Sequence, residues 1–463
     1  MKLKTLLALA VAAFLIYILS VIGSGCAQIG APTGGPRDSL PPNLLDASPP
    51  NRTTNFKGDR ITLTFDEYIL LQDLQKNLLV SPIPKVVPNI NWKLREVSIK
   101  IRDTLQPNTT YSIDLGNTIQ DINENNSFRK FTYVFSTGPY IDSLEFSGNI
   151  KLAETGKSDS TLIALLYNDL DDSAILKNKP RYITRLDSSG NFTFRNLSGG
   201  TYHVFGLKDE SGQRYYNSKT ELFAFADSVV VIDGNTPPLS LFAYAEDKAA
   251  QKGAAATSSK PEKTLKYTSS VSSGLQDLLT PLTITSNNKL KDFDSTKIKL
   301  ADTLFNVYNN VSVSIDTLYK NISLTTPWKE NETYLLIIPP DVAKDSLDNQ
   351  LSSGDTLRFK TKKEGDYGSI KINFTNLEKF KNPVLQFVSN NVVVNSARLN
   401  GTQWSVALFN PGDYELRILE DQNENIRWDP GSYELKKQPE KVFSLPQRIN
   451  IRANWENEKD FVL

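Results

Sequence analysis

Short runs in which apolar and polar residues alternate fill most of the chain, as in Arg60-Ile61-Thr62-Leu63-Thr64-Phe65 and Tyr133-Val134-Phe135, and Asn, Asp, Gly and Pro interrupt them at short intervals. Successive side chains of a strand point to opposite faces, so this period-two pattern predicts half-buried strands and an all-β class built of sandwiches. Helical periodicity is confined to short pieces, such as Tyr68 to Asn77, and to the start of the chain. There Lys2 and Lys4 precede an apolar run, Thr5 to Ile22, and the small residues Gly23, Ser24 and Gly25 lead into Cys26, the grammar of a secretory leader. The run is also long enough to read as a membrane-spanning helix, and length alone leaves both readings open.

The strand pattern repeats. Asn108-Thr109-Thr110-Tyr111 recurs as Asn331-Glu332-Thr333-Tyr334. Asp121-x-x-Glu124-Asn125 with Phe135-Ser136-Thr137 recurs, at the same internal spacing, as Asp345-x-x-Asp348-Asn349 with Phe359-Lys360-Thr361. A second unit repeats on its own: Gly200-Thr201-Tyr202, Asp209 and Tyr216 match Gly412-Asp413-Tyr414, Asp421 and Trp428. The order is A-B-A′-B′, a tandem duplication of a two-domain unit. Between the halves, Glu246 to Thr264 is Ala, Lys and Ser without aromatics, too poor in apolar surface to offset its ordering entropy. It is expected to be a disordered linker that lets the halves move, so that the domains form a jointed rod.

Composition narrows the chemistry. Lys plus Arg number 52 and Asp plus Glu 52, and loss of a leader carrying Lys2 and Lys4 leaves a slight acidic excess, so nothing marks a nucleic-acid partner. Cys26 is the sole cysteine and Met1 the sole methionine, which excludes a disulfide framework, a thiol nucleophile in the body and a cysteine metal site.

The end of the leader resembles the lipobox of bacterial lipoproteins. That resemblance implies a signal peptide over 1–25, cut before Cys26, whose thiol carries a diacylglycerol and whose new amine is acylated with a chain such as palmitate. Buried acyl chains contribute about 0.8 kcal/mol per methylene, so several on one residue hold a protein on a bilayer without a span. The stretch 26–43, CAQIGAPTGGPRDSLPPN, then reads as a Gly- and Pro-rich tether. Residues 44–139, with TFDEYI, NTTYSIDL, QDINENN and TYVFSTG, resemble a bacterial Ig-like domain of the S-layer type. Residues 266–364 resemble a degenerate copy; where the family's turn has Gly, this chain has Glu124 and Asp348. Residues 140–246 contain GNFTFRNLSGGTYHVFGLKD and resemble a transthyretin-like or carboxypeptidase-regulatory-like β-sandwich, repeated over 365–463, with the disordered linker at 247–265. The whole resembles a lipoprotein family of Bacteroidota envelopes, implying a lipid-anchored outer-membrane protein. Surface-exported members of that phylum resemble one another in acidic residues soon after the cysteine, and Ala27 to Pro36 has none, which favours the periplasmic face.

Candidate chemistry is sparse. Asp421, Asn423 and Asn425 at alternating positions, with Asp429 beyond, form a candidate Ca²⁺ loop, although the same residue types make an ordinary hairpin turn and the loop lacks the usual glycine. His203, the only histidine, falls by alternation on the solvent face of its strand. No HExxH, GxSxG, GxGxxG or phosphate-binding loop occurs. Asp followed by Ser or Thr and Leu recurs, making Ser39, Thr104, Ser143, Thr303, Thr317, Ser346 and Thr356 candidate O-glycosylation acceptors, on resemblance to the acceptor motif of Bacteroidota secreted proteins. The expected function is a non-enzymatic structural or binding module without a cofactor. It would meet a protein or glycan partner, as in an accessory subunit of an assembly or import complex. The rivals are a glycan-active hydrolase with an interdomain carboxylate pair and a calcium-stiffened adhesin stalk.

Overall fold

The computed structural model describes residues 2–22, 37–129, 131–247 and 264–463. Cys26 and most of the tether and linker lie outside them. The chain divides into two compact units: Met1–Leu79, Lys85–Gln106 and Ile113–Thr137 make the first, and the remaining segments, with Gly138–Leu463, the second.

In the first unit the apolar run near the start of the sequence is a single helix, Lys2–Ile22. The strands Leu44–Ser48, Arg60–Phe65, Glu96–Lys100 and Asn89–Lys93 follow in that order across an antiparallel sheet. Alternation sends Ile61, Leu63 and Phe65 into the core, each fully buried, while Arg60 stays exposed. Phe56 and Phe135, with ring centroids 4.4 Å apart, and Tyr133 complete the buried aromatic layer. The helical period read over Tyr68 to Asn77 is corrected here: Ile69–Leu71 is a strand paired with Ile119–Asp121, and only Leu74–Asn77 is helical. Pairing with a distant strand outweighs a short local period.

The second unit contains a sandwich of the same plan as the first. Tyr267–Ser269, Leu282–Ser286, Asn321–Thr325 and Ser312–Ile315 form one sheet; Leu275–Gln276, Asp355–Thr361, Thr333–Ile338 and Lys299–Ala301 form the other. A two-stranded ribbon, Leu290–Phe293 with Ala343–Asp345, corresponds to the ribbon of the first unit. Leu282, Leu300, Leu324, Tyr334, Leu336 and Phe359 fill its core.

The other two sandwiches of this unit share one topology. Leu144–Leu152 lies between Asn191–Leu197, antiparallel, and Leu239–Ala243, parallel. Gly368–Thr375 lies likewise between Gln403–Phe409 and Glu456–Val462. Opposite them stand the sheets Tyr182–Arg185, Ile163–Tyr167, Gly200–Leu207, Phe223–Phe225 and Val392–Arg398, Pro383–Ser389, Gly412–Glu420, Val442–Ile451. Gly200 (φ 157°) and Gly412 (φ 155°) let Tyr202 and Tyr414 lay their rings over the glycine, and each hydroxyl donates to the carbonyl four residues back, Ser198 or Asn410, at 3.0 Å. All four domains are thus β-sandwiches, and the fold class is tandem Ig-like and related β-sandwiches.

The expected freedom of the halves does not hold between these last two sandwiches, which are clasped together. The segment 429–441 lies on the outer face of the sheet that contains Gly200–Leu207. Tyr433 inserts its ring 5.2 Å from Phe223 and from Phe225 and 5.9 Å from Phe205. The Val442 amide donates to the Ala153 carbonyl (2.9 Å) and the Ser444 hydroxyl to that of Thr155 (2.7 Å). Gln438 donates to the Phe225 carbonyl and to Asp227, and Lys157 pairs with Glu415 at 2.8 Å. Gly156, at φ 68°, sits where a Cβ would lie 2.5 Å from the Val442 oxygen.

Candidate functional site

The carboxylates singled out by the repeats act as turn organisers. Asp121, 1 % exposed, accepts at Oδ1 from the amides of Asn123, Glu124 and Asn125 and at Oδ2 from that of Asn126. Burial pushes its carboxyl up, yet the Glu124, Asn126 and Asn125 amides together hold it below the usual carboxylate range. Asp345 does the same with Leu347 and Asn349 and receives the Asn288 side-chain amide at 2.7 Å. The missing glycine is replaced differently in the two copies: Asn125 takes the left-handed conformation (φ 62°) in the first, Asp348 (φ 62°) in the second.

The candidate Ca²⁺ loop is built in the same way. Asp421 accepts the Asn425 amide at Oδ1 (3.2 Å) and the Ile426 amide at Oδ2 (2.7 Å), while the side-chain amides of Asn423 and Asn425 both donate to Asp429 Oδ2. Its sister Asp209 accepts from Gln213 and Arg214 at matching positions. The structure therefore brings Asp421, Asn423, Asn425 and Asp429 together, with Asp421 turned to its own backbone and Asp429 to the two amides.

His203 is not a free surface group: its ring is 5.8 Å from that of Phe205, its Nε2 lies 3.2 Å from the Leu170 carbonyl, and its side chain is 15 % exposed. The clasp that covers Phe205 explains why simple alternation placed it wrongly. By contrast Ser39, Thr104, Ser143, Thr303, Thr317, Ser346 and Thr356 are all exposed. In several of these the preceding Asp accepts the amide two residues on, as Asp38 does from Leu40, Asp302 from Leu304 and Asp345 from Leu347, so the hydroxyl is carried on the outside of a turn.

A concave site that the sequence did not disclose lies in the third sandwich, an open cleft of about 510 Å³. It is lined by the buried Leu290 and Val342, the half-buried Phe293 and Ile315, the charged Lys291, Lys297, Lys344, Asp292, Asp294 and Asp341, and the ring of Tyr319. Lys297 pairs with Asp341 at 2.5 Å, and Asp292 lies opposite Lys344 in the ribbon register. The Thr296 hydroxyl and amide hold Asp294 below the usual carboxylate range, and the Lys297 ammonium does so for Asp341. Asp-Thr-Leu-aromatic occurs twice, at 302–305 and 316–319, and both aromatics, Phe305 (φ 64°) and Tyr319 (φ 56°), occupy the left-handed region usually left to Gly or Asn, but only Tyr319 lines the cleft.

Residues 38–137 match the family of bacterial Ig-like domains. No curated protein matches the chain. Among solved structures, native alpha-2-macroglobulin from Escherichia coli, spanning domains MG0-NIE-MG1, is 13 % identical, covering 40 % of this chain and 72 % of its own, with a TM-score of 0.19. The major pilin subunit of Bacillus cereus is 11 % identical over 69 % of this chain and 99 % of its own (TM-score 0.16). The Bacillus anthracis TIE protein is 11 % identical over 93 % and 75 % (TM-score 0.18).

Proposed function

We propose that this chain is a non-catalytic lipoprotein of the bacterial outer membrane, held by acyl chains on Cys26 and presenting β-sandwich modules as a structural and binding component of the envelope. The observation that carries the reading is the use made of its buried carboxylates. Asp121 and Asp345, with Asp421 the most deeply enclosed acidic side chains among the described residues, are taken up by the amides of their own turns and, for Asp345, by the Asn288 side chain as well. A bacterial Ig-like domain at 38–137 fits a module that works by contact. The rival glycan hydrolase needs one carboxyl held protonated as a general acid, and in the cleft of the third sandwich Asp294 and Asp341 are both held below the usual carboxylate range.

An accessory subunit of an assembly or import complex is one form of this reading, and the lack of acidic residues over Ala27 to Pro36 favours the periplasmic face for it. Intact mass spectrometry of the native protein tests the anchor: a chain beginning at acylated Cys26 is expected, with further mass in hexose-sized steps for glycans on the exposed Asp-Ser/Thr turns. An intact Met1 with a bare thiol overturns the anchoring. Recovery at fixed stoichiometry from solubilised membranes, and resistance to protease applied to whole cells, would support the subunit role and the face.

A further inference from the structure

We propose that the cleft of the third sandwich binds a neutral saccharide about the size of a disaccharide, with Tyr319 as its stacking platform. This rests on the reading of the chain as a binding module and names the class of ligand for it.

The cleft's volume, about 510 Å³, falls inside the range of roughly 300–1,000 Å³ usual for small-ligand sites. Its lining is mixed, with the apolar side chains of Leu290, Phe293, Ile315 and Val342 beside ammonium donors and carboxylate acceptors in equal number. Balanced charge gives no attraction to a polyanion or a polycation. A sugar ring matches both kinds of group, since its C–H face is apolar and its hydroxyls donate and accept. Lys297 and Asp341 already hold each other in place, so their spare lone pairs and protons are presented without a large ordering cost.

Tyr319 supplies the second line of argument. It is 47 % exposed and held at φ 56°, a conformation unfavourable for an aromatic residue by roughly 1 kcal/mol. The turn that imposes this is tightly made: Asp316 accepts the amides of Lys320 and Asn321 and the Asn321 side chain, and the Leu290 amide donates to the Tyr319 carbonyl at 2.8 Å, fixing the turn against the ribbon. Asn or Gly would satisfy the same turn without strain. The corresponding hairpin of the first sandwich closes with only Leu94 and Arg95 between paired Lys93 and Glu96, whereas here 316–321 separate paired Ile315 and Ile322. The added residues are the ones that raise an aromatic wall beside the cleft, and Lys289 Nζ lies 5.7 Å from that ring.

The test is saturation-transfer NMR on the full chain in a sugar-free detergent, with N,N′-diacetylchitobiose, cellobiose and maltose as probes. Transfer to at least one of them is expected, persisting at about 0.5 M salt because no ion pair with the ligand is formed. Tyr319→Asn, which keeps a residue at ease in the left-handed region, is expected to weaken binding roughly tenfold, and Tyr319→Trp to retain it. No transfer from any probe at about 20 mM, or equal transfer to wild type and to a Tyr319→Asn variant that melts no lower than wild type, overturns the proposal. Neither outcome touches the mass of Cys26, so failure here and failure of the anchored-module reading are separable.

Discussion

Replacing Tyr433 by alanine should unlock two sandwiches at once. The ring is buried, its hydroxyl donates to the Asp172 carbonyl at 2.7 Å, and its amide donates to Glu246 at 3.0 Å. An aromatic side chain of this kind removes about 150–250 Å² from water, and at about 25 cal/mol per Å² that is about 4–6 kcal/mol. Burial already present in the unfolded chain reduces the figure to about 3–5 kcal/mol, the usual cost of truncating a buried aromatic. Tyr433→Phe keeps the packing and loses one hydrogen bond, about 1 kcal/mol. The two variants therefore separate packing from the hydroxyl. Native-state hydrogen exchange is the assay, read in peptides spanning Gly200–Leu207 and Phe223–Phe225, which lie more than two hundred residues from the substitution. In Tyr433→Ala their amides should exchange roughly 10²- to 10⁴-fold faster, and in Tyr433→Phe by no more than about tenfold. Wild-type rates in Phe223–Phe225 of the alanine variant would refute the clasp as a source of stability.

Gly156→Ala should cost about 2–3 kcal/mol, since its Cβ would meet the Val442 oxygen at 2.5 Å, whereas Gly212→Ala, at a similar φ of 72° with nothing within 4 Å, should cost only about 1 kcal/mol; thermal melts of the two compare contact with strain alone. Asp121 has a folded pKa below its unfolded value of about 3.9, so its contribution is present above that pH and is lost as pH falls through the folded value. Asp121→Asn should cost about 1–3 kcal/mol at pH 7 and flatten the acid limb of a urea-unfolding series from pH 7 to 3, and an unchanged limb counts against the turn as an acid sensor. Because both Asp421 oxygens and Asp429 Oδ2 are engaged within the loop, adding a chelator should leave the melting temperature unchanged; a fall of several degrees would restore the calcium-stiffened stalk.

What could be read in the chain was whatever rests on local geometry. The Asp turns and the Gly-x-Tyr corners are fixed by residues within a few positions of one another, so their repeats exposed the duplication and the matched topologies. What could not be read was contact between distant segments. Alternation treated the strand Gly200–Leu207 as having one wet face, yet Val204, Phe205, Gly206 and Leu207 are consecutively buried. An unbroken apolar run of that kind marks a strand covered on both sides, and with Phe223-Ala224-Phe225 it was the available sign of the clasp. The cleft was less visible still, because its charges come from separate turns and read singly as ordinary solvated residues.

The two halves of the duplication also show where use departs from fold. Leu207 pairs with Phe223, 16 residues on, and its counterpart Leu419 pairs with Val442, 23 residues on. The aromatic at the seventh position after the Asp is kept in both copies, Tyr216 and Trp428, so the added length falls between Trp428 and Val442, where Gly431, Tyr433 and Gln438 make the clasp. The hairpin bearing Tyr319 is likewise longer than its counterpart in the first sandwich. Both departures are extensions of a return between paired strands, the place where added residues disturb neither register nor core. One extension is turned inward and spends its aromatic ring on holding the copies together. The other is turned outward and sets a half-exposed aromatic ring at the edge of the cleft, and that difference in placement is why Tyr319 rather than Tyr433 is the residue through which a partner should be sought.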